Sequence, residues 1–433
     1  LFFKITITMS RAHRFLSHIS NNIKTKNRIS DDLTKFFINN EKKYCANNYN
    51  PIKNITFTKG SNIYLWDKND NVYHDFIAGY SAVNQGHCHP RLVDTIINQS
   101  SQLTLTSRAV FTEDLAKYSE FITKIFKYDK VLPTNTGVEA GETAVKMARS
   151  WGYIKKNIPD NKAVILFAKN NFWGRSIAAC SSSSNPSCYN NYGPYTPGFE
   201  LIEYNNISAL KKKLEKNRNI VAYMLEPIQG EGGIIIPSNN YLREVKKLCK
   251  KYNVLLIADE VQTGLGRTGH MYNFKKHNVK PDILCLGKAL SGGFMPISAV
   301  LTNNSIMKCI LPGTHGSTFG GSPLSCNVAT TALKIIQDEK LCINANLIGN
   351  FFRKELNNMD YDFIKDIRGE GLLNAIEFND EKTTNKVINN LIQNKLIAKN
   401  TNKTTIRLTP PLTINKFQIE DAINKINKSL NNI

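Results

Sequence analysis

Short apolar runs alternate with helical patterns through the middle of the chain, and this alternation limits the possible folds most strongly. Three of the runs read AVILFA (163–168), VAYMLEP (221–227) and VLLIADE (254–260). An amphipathic helical pattern, YLREVKKLCKKY (241–252), lies directly before the last of them. Because parallel strands need crossover helices between them, the sequence predicts an α/β fold with a mostly parallel sheet between helices.

The flanking segments have different patterns. IYLWDKNDNVYHDF (63–76) alternates around an Asp-rich turn and predicts a β-hairpin. After about Ser325, a helical run, the strand-like GLLNAIEF (371–378) and a closing helix indicate a smaller α+β domain. We therefore predict four parts: a basic extension (1–33), an N-terminal segment that packs with the small domain (34–85), a large domain (86–325) and a small domain (326–433).

The N-terminal extension is basic. No Asp or Glu precedes Asp31, and MSRAHRFLSHISNNIK (9–24) places Phe15, Leu16 and Ile19 on one side of a possible helix. Basic, Ser-containing, acid-free starts resemble mitochondrial transit peptides. This pattern predicts a location in the mitochondrial matrix. A disordered basic tail on a cytoplasmic protein is the alternative.

Bulk composition argues against two classes of protein. The net charge of +21 suggests nucleic-acid binding, but the lysines are spread along the chain and no binding motif accompanies them. We therefore expect attraction of small anions and no nucleic-acid partner. A membrane partner is not expected either, because no apolar run reaches the ~18 residues of a spanning helix. The nine cysteines include no CxxC pair, which favours reduced thiols.

Two strand ends carry the residues with the clearest chemistry. Asp259 ends the run VLLIADE, and Lys288 follows the next strand-like run, PDILCLG (281–287). In open α/β sheets ligands bind at the carboxyl ends of strands, so the two side chains are expected in one crevice. Burial disfavours a charged amine and makes lysine a usable nucleophile toward carbonyl compounds. Pyridoxal phosphate needs such a lysine for its aldehyde and an acid for its ring nitrogen. A buried Lys–Asp ion pair without catalytic use is the alternative.

Three further segments suit a phosphorylated aromatic cofactor and a carboxylate substrate. NTGVEAGETAVKMAR (135–149) enters a helix at Thr136 and Gly137, where unpaired N–H groups can bind phosphate. HGSTFGG (315–321) offers a second hydroxyl-bearing turn, and NFWGR (171–175) offers an aromatic pair with a guanidinium. Arg407, in IRLTPPL, suits bidentate binding of a carboxylate. Each segment also has an ordinary structural explanation: a helix cap, core aromatic residues or a surface arginine.

Two short motifs resemble sequence patterns of dinucleotide-binding and metal-binding sites. GLGRTG (264–269) matches the GxGxxG dinucleotide pattern, but DEVQT separates it from its strand and no suitable helix follows. GHCHP (86–90) brings two histidines close together, yet no third group of metal ligands is evident. We expect neither a dinucleotide site nor a metal site.

Taken together, the segments resemble one family. YSAVNQGHCHP, LTLTSRA, LPTNTGVEAGETA, NFWGR, EPIQGE, IADEVQTGLGRTG, LGKALSGG and HGSTFGG occur in the order found in the fold-type I, class III pyridoxal-phosphate aminotransferases. The resemblance extends from about Tyr44 to the C-terminus. It implies pyridoxal 5'-phosphate as cofactor and 86–325 as the domain that binds it.

The resemblance also implies roles around the cofactor. Lys288 would hold the aldehyde, Asp259 the ring nitrogen, and Gln262 would lie near the ring oxygen. Phe172 would stack on the ring. The phosphate would contact backbone N–H groups and hydroxyls of four residues: Thr136, Gly137, Val138 and, across a homodimer interface, Thr318.

Substrate roles follow from the same resemblance. Tyr49 and Tyr80 would recognise the end groups of ornithine. Glu231 would hold Arg407 while the amine donor is bound and release it for the oxo acid, and Arg175 would take the remaining carboxylate.

The implied reaction moves the δ-amino group of L-ornithine to 2-oxoglutarate, giving L-glutamate 5-semialdehyde and L-glutamate, in arginine and ornithine catabolism and proline biosynthesis. Acetylornithine and 4-aminobutyrate are the alternative donors, and a cofactor-binding protein without catalysis is the alternative from another class. Ser322 and Asn50 depart from the family pattern near the site, which bears on fine substrate preference.

Overall fold

A seven-stranded central sheet organises the protein in a computed structural model, which describes residues 31–433. Its strand order is β4-β10-β9-β8-β7-β5-β6, with these bounds: β4 (Lys130–Thr134), β5 (Val164–Ala168), β6 (Phe199–Ile202), β7 (Ile220–Leu225), β8 (Leu255–Asp259), β9 (Ile283–Leu286) and β10 (Ser298–Thr302). Strands β9, β8, β7, β5 and β6 pair in parallel. The α/β fold with a mostly parallel sheet is therefore confirmed.

Strand β10 was not predicted. It lies between β4 and β9 and pairs antiparallel with both. Its sequence, SAVLT, is short and only partly apolar, so periodicity alone gives little signal. All five residues are nevertheless buried, because the sheet is covered on both faces.

Helices cover both faces of the sheet. Alternate residues along each strand face opposite sides: Ile257 packs with the helix that follows β4, whereas Leu256 belongs to the larger core on the other side. The helices and helical turns have these bounds: α1 (31–44), α2 (Ala78–Ser81), α3 (Pro90–Ser100), α4 (Glu113–Phe126), α5 (Gly137–Lys155), α6 (Ile177–Ser181), α7 (Pro186–Tyr189), α8 (Ile207–Lys216), α9 (Tyr241–Lys251), α10 (Asn273–Lys276), α11 (Asn304–Met307), α12 (Pro323–Asp338), α13 (Leu341–Asn357), α14 (Glu381–Gln393), α15 (Lys416–Leu430) and a 3-10 helix (Lys288–Ser291).

Two four-stranded sheets lie outside the central one. The first has the order β1-β2-β3-β13 and the second β11-β12-β15-β14, with these bounds: β1 (Phe57–Ser61), β2 (Tyr64–Asp67), β3 (Val72–Asp75), β11 (Ile364–Glu370), β12 (Leu373–Phe378), β13 (Leu396–Ile397), β14 (Lys399–Thr401) and β15 (Thr405–Leu408). Strands β2 and β3 form the predicted hairpin. Strand β13 pairs with β3, so the N-terminal segment shares a sheet with the C-terminal region.

The four-part division of the chain stays a prediction. Helix α12 continues through the proposed boundary between Ser325 and Cys326, and α1 already includes residues 31–33, which we had assigned to the extension. The predicted transit peptide falls largely on residues outside those the structure describes. Within 31–433, no helix combines the length and the apolar character needed to cross a bilayer.

Candidate active site

Lys288 and Asp259 meet at one edge of the central sheet. Strands β8 and β9 are parallel neighbours, with Asp259 opposite Cys285, and Lys288 starts the 3-10 helix just beyond the end of β9. Both residues line one cavity of about 320 Å³. Its other lining residues are Gly137, Val138, Phe172, Trp173, Gly174, Arg175, Glu226, Glu231, Val261, Gln262 and Thr263.

The backbone at Lys288 is strained. Its φ is +45°, in the left-handed region that non-glycine residues rarely adopt. The side chain keeps some exposure because it lines the cavity. Burial and the nearby Arg407 guanidinium lower the pKa of the Lys288 amine, although Asp259, Glu231 and Glu226 act in the opposite direction. A larger share of neutral amine makes Lys288 a better nucleophile and base.

Asp259 presents a carboxylate to the cavity. One oxygen, Oδ1, accepts a hydrogen bond from the Val261 N–H at 3.0 Å. Burial raises the pKa of Asp259 to about 6, against the Val261 N–H and the Lys288 amine, which both favour the ionised form. No described residue donates to Oδ2, so this oxygen can pair with a protonated ring nitrogen.

Glu226 is a second buried acid in the same cavity, and we did not predict it. Its oxygens accept hydrogen bonds from the N–H groups of Phe172 and Gly230, each at 3.0 Å. Burial raises the pKa of Glu226 to about 8, with a further contribution from the charge of Asp259. The signal that identified Asp259 applies here too, since Glu226 directly follows the buried strand β7.

The start of α5 provides two free N–H groups. A helix leaves its first N–H groups without intrahelical partners, and a capping box satisfies the others here. The Thr136 side chain accepts from the Glu139 N–H, and the Glu139 carboxylate accepts from the N–H of Asn135 and Thr136. No partner within residues 31–433 accepts from the N–H groups of Gly137 and Val138. Both residues line the cavity, so an anion can bind there.

The NFWGR segment places its aromatic residues differently. Phe172 lines the cavity, and the Arg175 guanidinium carbon lies 5.4 Å from the centroid of its ring. Trp173 also lines the cavity, but its ring packs into the core: it stacks on Phe167, and its ring N–H donates to Ser182. Val138 and Val261 add apolar side chains to the cavity, and a Cβ on Gly137 would lie 2.8 Å from the Val261 Cγ1.

Arg407 is paired with Glu231, which lines the cavity. The Arg407 Nη1 lies 2.7 Å from Glu231 Oε1, and the guanidinium carbon lies 5.2 Å from the centroid of the Tyr80 ring. The Arg407 side chain is 4% exposed, whereas that of Glu231 is 38% exposed. Burial works against ionisation of Glu231, but Arg407 outweighs it and lowers the pKa of the carboxyl. The Glu231 carboxylate therefore balances the charge of the Arg407 guanidinium.

Five residues with predicted roles at the site are not among those that line this cavity: Tyr49, Tyr80, Thr136, Thr318 and Arg407. Tyr49 is 70% exposed and stands next to Asn50, whose carbonyl accepts from the Lys399 amine. Thr318 is exposed beside Ser317, which accepts from the Asn135 side chain. Thr136 lines an adjoining cavity of about 360 Å³, together with Gly137 and Lys288.

The GLGRTG and GHCHP motifs make structural contacts. Arg267 of GLGRTG is fully buried and donates to the carbonyls of Leu372 and Pro410 and to Asn84 Oδ1. In GHCHP, the rings of His87 and His89 pair with Asp75 and Glu339 respectively. Among the described residues, no group of three or more His, Cys, Asp or Glu side chains is arranged to hold a metal ion.

The residues of the cavity fit pyridoxal phosphate. The unpartnered N–H groups at the start of α5 suit its phosphate, the free oxygen of Asp259 suits its ring nitrogen, and the Lys288 amine suits its aldehyde. Phe172 and Val261 offer apolar surface for its ring.

Comparisons with known proteins agree with this geometry. The family model described as Aminotransferase class-III matches residues 44–430. A Drosophila melanogaster protein named ornithine aminotransferase, mitochondrial, is 53% identical over 390 residues, which are 90% of each chain. A crystal structure of the ornithine aminotransferase from Toxoplasma gondii has a TM-score of 0.90 at 45% identity, covering 92% of this chain and 95% of that one.

An acetylornithine aminotransferase structure from Elizabethkingia anophelis also matches, with a TM-score of 0.84 at 45% identity over 92% of this chain and 99% of that one. The long match to the family model and the chemistry of the cavity residues indicate the same family. The chain belongs to the class III aminotransferases, and its cofactor is pyridoxal phosphate.

Proposed function

We propose that the protein transfers the δ-amino group of L-ornithine to 2-oxoglutarate and releases L-glutamate 5-semialdehyde and L-glutamate. The names of the Drosophila and Toxoplasma relatives support ornithine as the donor. The two substrates share one site and react in turn, so the kinetics are ping-pong.

The masked guanidinium of Arg407 carries this proposal. Ornithine brings an additional amine into the site, whereas 2-oxoglutarate brings an additional carboxylate. A free guanidinium would repel the first and bind the second. The 2.7 Å pair with Glu231 neutralises Arg407, and the partly exposed Glu231 can turn away when the oxo acid binds. One cavity thus accepts substrates of opposite charge.

The side chains have distinct tasks in the reaction. When bound, pyridoxal phosphate supplies an aldehyde for amines and a ring that accepts electron density. Lys288 takes the proton from the ornithine carbon that bears the δ-amine. In the second half of the reaction it delivers a proton to the carbon of 2-oxoglutarate that becomes the α-carbon of glutamate. Asp259 keeps the ring nitrogen protonated, and Gly137 and Val138 hold the phosphate. Arg175 binds the substrate carboxylate that Arg407 does not, while Tyr49 and Tyr80 contact the ornithine end groups.

The Elizabethkingia structure makes acetylornithine the second candidate donor. Steady-state rates with ornithine, acetylornithine and 4-aminobutyrate, each with 2-oxoglutarate, separate the candidates. We expect the highest kcat/KM with ornithine and a semialdehyde that can be trapped as the product. A higher kcat/KM with either of the other donors would overturn the proposal.

A homodimer completes the proposal. Thr318 is exposed on a loop whose neighbour Phe319 is 60% exposed, and Phe111 is fully exposed on another loop. Such apolar exposure is typical of interfaces. In the dimer, Thr318 reaches the phosphate bound by the partner subunit. Sedimentation is expected to give a dimer, and Thr318→Ala is expected to weaken cofactor binding. A monomer with full cofactor affinity would contradict this arrangement.

The proposed reaction belongs to arginine and ornithine catabolism and to proline biosynthesis, in the mitochondrial matrix. The Drosophila relative's name includes the word mitochondrial, and the basic start of this chain supports the same location. Fractionation of cells that express the native protein tests the location, and recovery in the cytosol would contradict it.

A further inference from the structure

The turn that carries Tyr80 has an uncommon backbone. Helical turn α2 contains four consecutive residues with positive φ: Ala78 (+47°), Gly79 (+56°), Tyr80 (+57°) and Ser81 (+71°). Only Gly79 tolerates this region freely. For the other three residues, left-handed helical geometry is unfavourable. Strain of this kind persists only where surrounding contacts hold it.

Asp75 holds the beginning of the turn. Its Oδ1 accepts hydrogen bonds from the N–H groups of Ile77 at 2.8 Å and Ala78 at 2.9 Å. Asp75 is almost fully buried at the end of strand β3. Its carboxylate therefore fixes the point at which the chain leaves the strand and becomes left-handed.

His87 holds Asp75 in turn. The His87 Nε2 lies 2.7 Å from Asp75 Oδ2, the oxygen that the turn does not use. The backbone of His87 exchanges hydrogen bonds with Asn62 at 2.7 and 2.9 Å, and a Cβ on Gly60 would lie 3.0 Å from the imidazole ring. The imidazole is thus held against strand β1 and the turn that follows it, and it directs its N–H at the carboxylate.

The held turn places Tyr80 between two site residues. The Tyr80 ring faces the Arg407 guanidinium at 5.2 Å, and the Tyr80 carbonyl accepts from the Gln262 side chain at 3.4 Å. A change in the angle of the turn would move both contacts. Neither Asp75 nor His87 lines the cavity, and the hydrogen bonds that connect the two residues to Tyr80 run through the turn.

We propose that Asp75 and His87 are a positioning pair, which holds the left-handed turn Ala78–Ser81 and thereby sets Tyr80 against Arg407 for recognition of the amine donor. The inference rests on the proposed function, because it uses the proposed role of Tyr80. It assigns the first histidine of GHCHP to substrate specificity. The second histidine, His89, is also largely buried and pairs with a carboxylate, that of Glu339, so it provides a matched control.

Steady-state kinetics of the holoenzyme test the proposal. His87→Ala removes the N–H donor to Asp75, and we expect the KM for ornithine to rise roughly tenfold, while kcat and the KM for 2-oxoglutarate change less than about twofold. His87→Gln keeps a donor and is expected to restore much of the loss. Asp75→Asn offers a second variant if His87→Ala does not fold. His89→Ala, which breaks a pair of the same type, should leave all three constants near those of the wild type.

A double-mutant cycle with Tyr80→Ala separates the inference from the proposed function. If His87 acts through Tyr80, His87→Ala adds less than about twofold to the ornithine KM in the Tyr80→Ala background. If the increases in the ornithine KM caused by His87→Ala and by Tyr80→Ala multiply in the double variant, the positioning role is overturned. An unchanged ornithine KM in both His87→Ala and Asp75→Asn would overturn it as well. An unchanged KM in Tyr80→Ala alone would overturn the proposed role of Tyr80, and the inference with it.

Discussion

Arg407 Nη1 lies 2.7 Å from Glu231 Oε1, although 176 residues separate the two in the chain. Thr401, on the strand next to β15, also donates to the Glu231 backbone carbonyl at 3.0 Å. The Thr401 hydroxyl also lies 3.4 Å from Glu231 Oε2. Thr401 therefore contacts both the backbone and the carboxylate of Glu231, while Arg407 contacts the other carboxylate oxygen.

Neutralising Glu231 should affect the two halves of the reaction differently. In Glu231→Gln the Arg407 charge is no longer balanced, so we expect the ornithine KM to rise roughly tenfold. The KM for 2-oxoglutarate should stay the same or fall, because the guanidinium is already free. Rapid-mixing measurements of each half-reaction check this. Glu203→Gln, at an exposed ion pair with Lys169, is the control. Equally weakened binding of ornithine and of 2-oxoglutarate in the two half-reactions would contradict the masking role of Glu231.

Gly230 has no room for a side chain. A Cβ there would lie 1.7 Å from Gln262 Oε1, so Gly230→Ala must displace Gln262 from the cavity wall. We expect cofactor affinity to fall by roughly tenfold. Titration of the cofactor-free protein with pyridoxal phosphate measures the change. Gly193→Ala is the control, since its nearest neighbour is an ordinary 3.6 Å contact with Tyr195. Wild-type affinity in Gly230→Ala would show that Gln262 does not support the cofactor.

Glu226 should make stability depend on pH. Its pKa rises from 4.5 to about 8 on folding, so the folded state favours the protonated form. The contribution of protonated Glu226 to the free energy of unfolding is fully present below pH 4.5 and is lost as pH rises through about 8. Relative to Glu226→Gln, the free energy of unfolding of the cofactor-free wild type should fall by a few kcal/mol between about pH 5 and pH 8. Denaturant titrations across this range measure it. Parallel pH profiles would contradict the raised pKa.

Arg267 should be important for stability. It is buried without a carboxylate partner, burial lowers its pKa to about 9, and three acceptors depend on its N–H groups. Arg267→Met removes the buried charge but leaves those acceptors unpaired, each at about 1–3 kcal/mol. We expect the free energy of unfolding to fall by roughly 3 kcal/mol in total. The exposed Arg243→Met is expected to change it by less than about 1 kcal/mol. Unaltered stability in Arg267→Met would contradict the argument.

The sequence predicts some parts of this site better than others. Asp259 and Lys288 follow from strand order alone, because adjacent parallel strands end at the same edge of a sheet. Glu226 obeys the same logic, and a search for acids that directly follow buried strands would have found it. The pairing of Glu231 with Arg407 came only from the family resemblance, since it depends on how the small sheet lies against the central one.

Other features need the folded structure. The left-handed turn at Tyr80 leaves no mark on hydrophobic periodicity, and Ala78 and Ser81 are not residues that typically favour it. The Arg267 side chain donates to acceptors in three distant segments of the chain, and the GLGRTG motif gives no sign of these contacts. The antiparallel strand β10 was missed because a five-residue strand carries little periodic signal.

The central claim is that the Lys288 amine holds the cofactor, and reductive trapping tests it most directly. The holoenzyme is treated with borohydride, digested and examined by mass spectrometry. We expect a phosphopyridoxyl group on the peptide that contains Lys288, and its loss in Lys288→Ala. A tag on another lysine, or none on the Lys288 peptide, would contradict it.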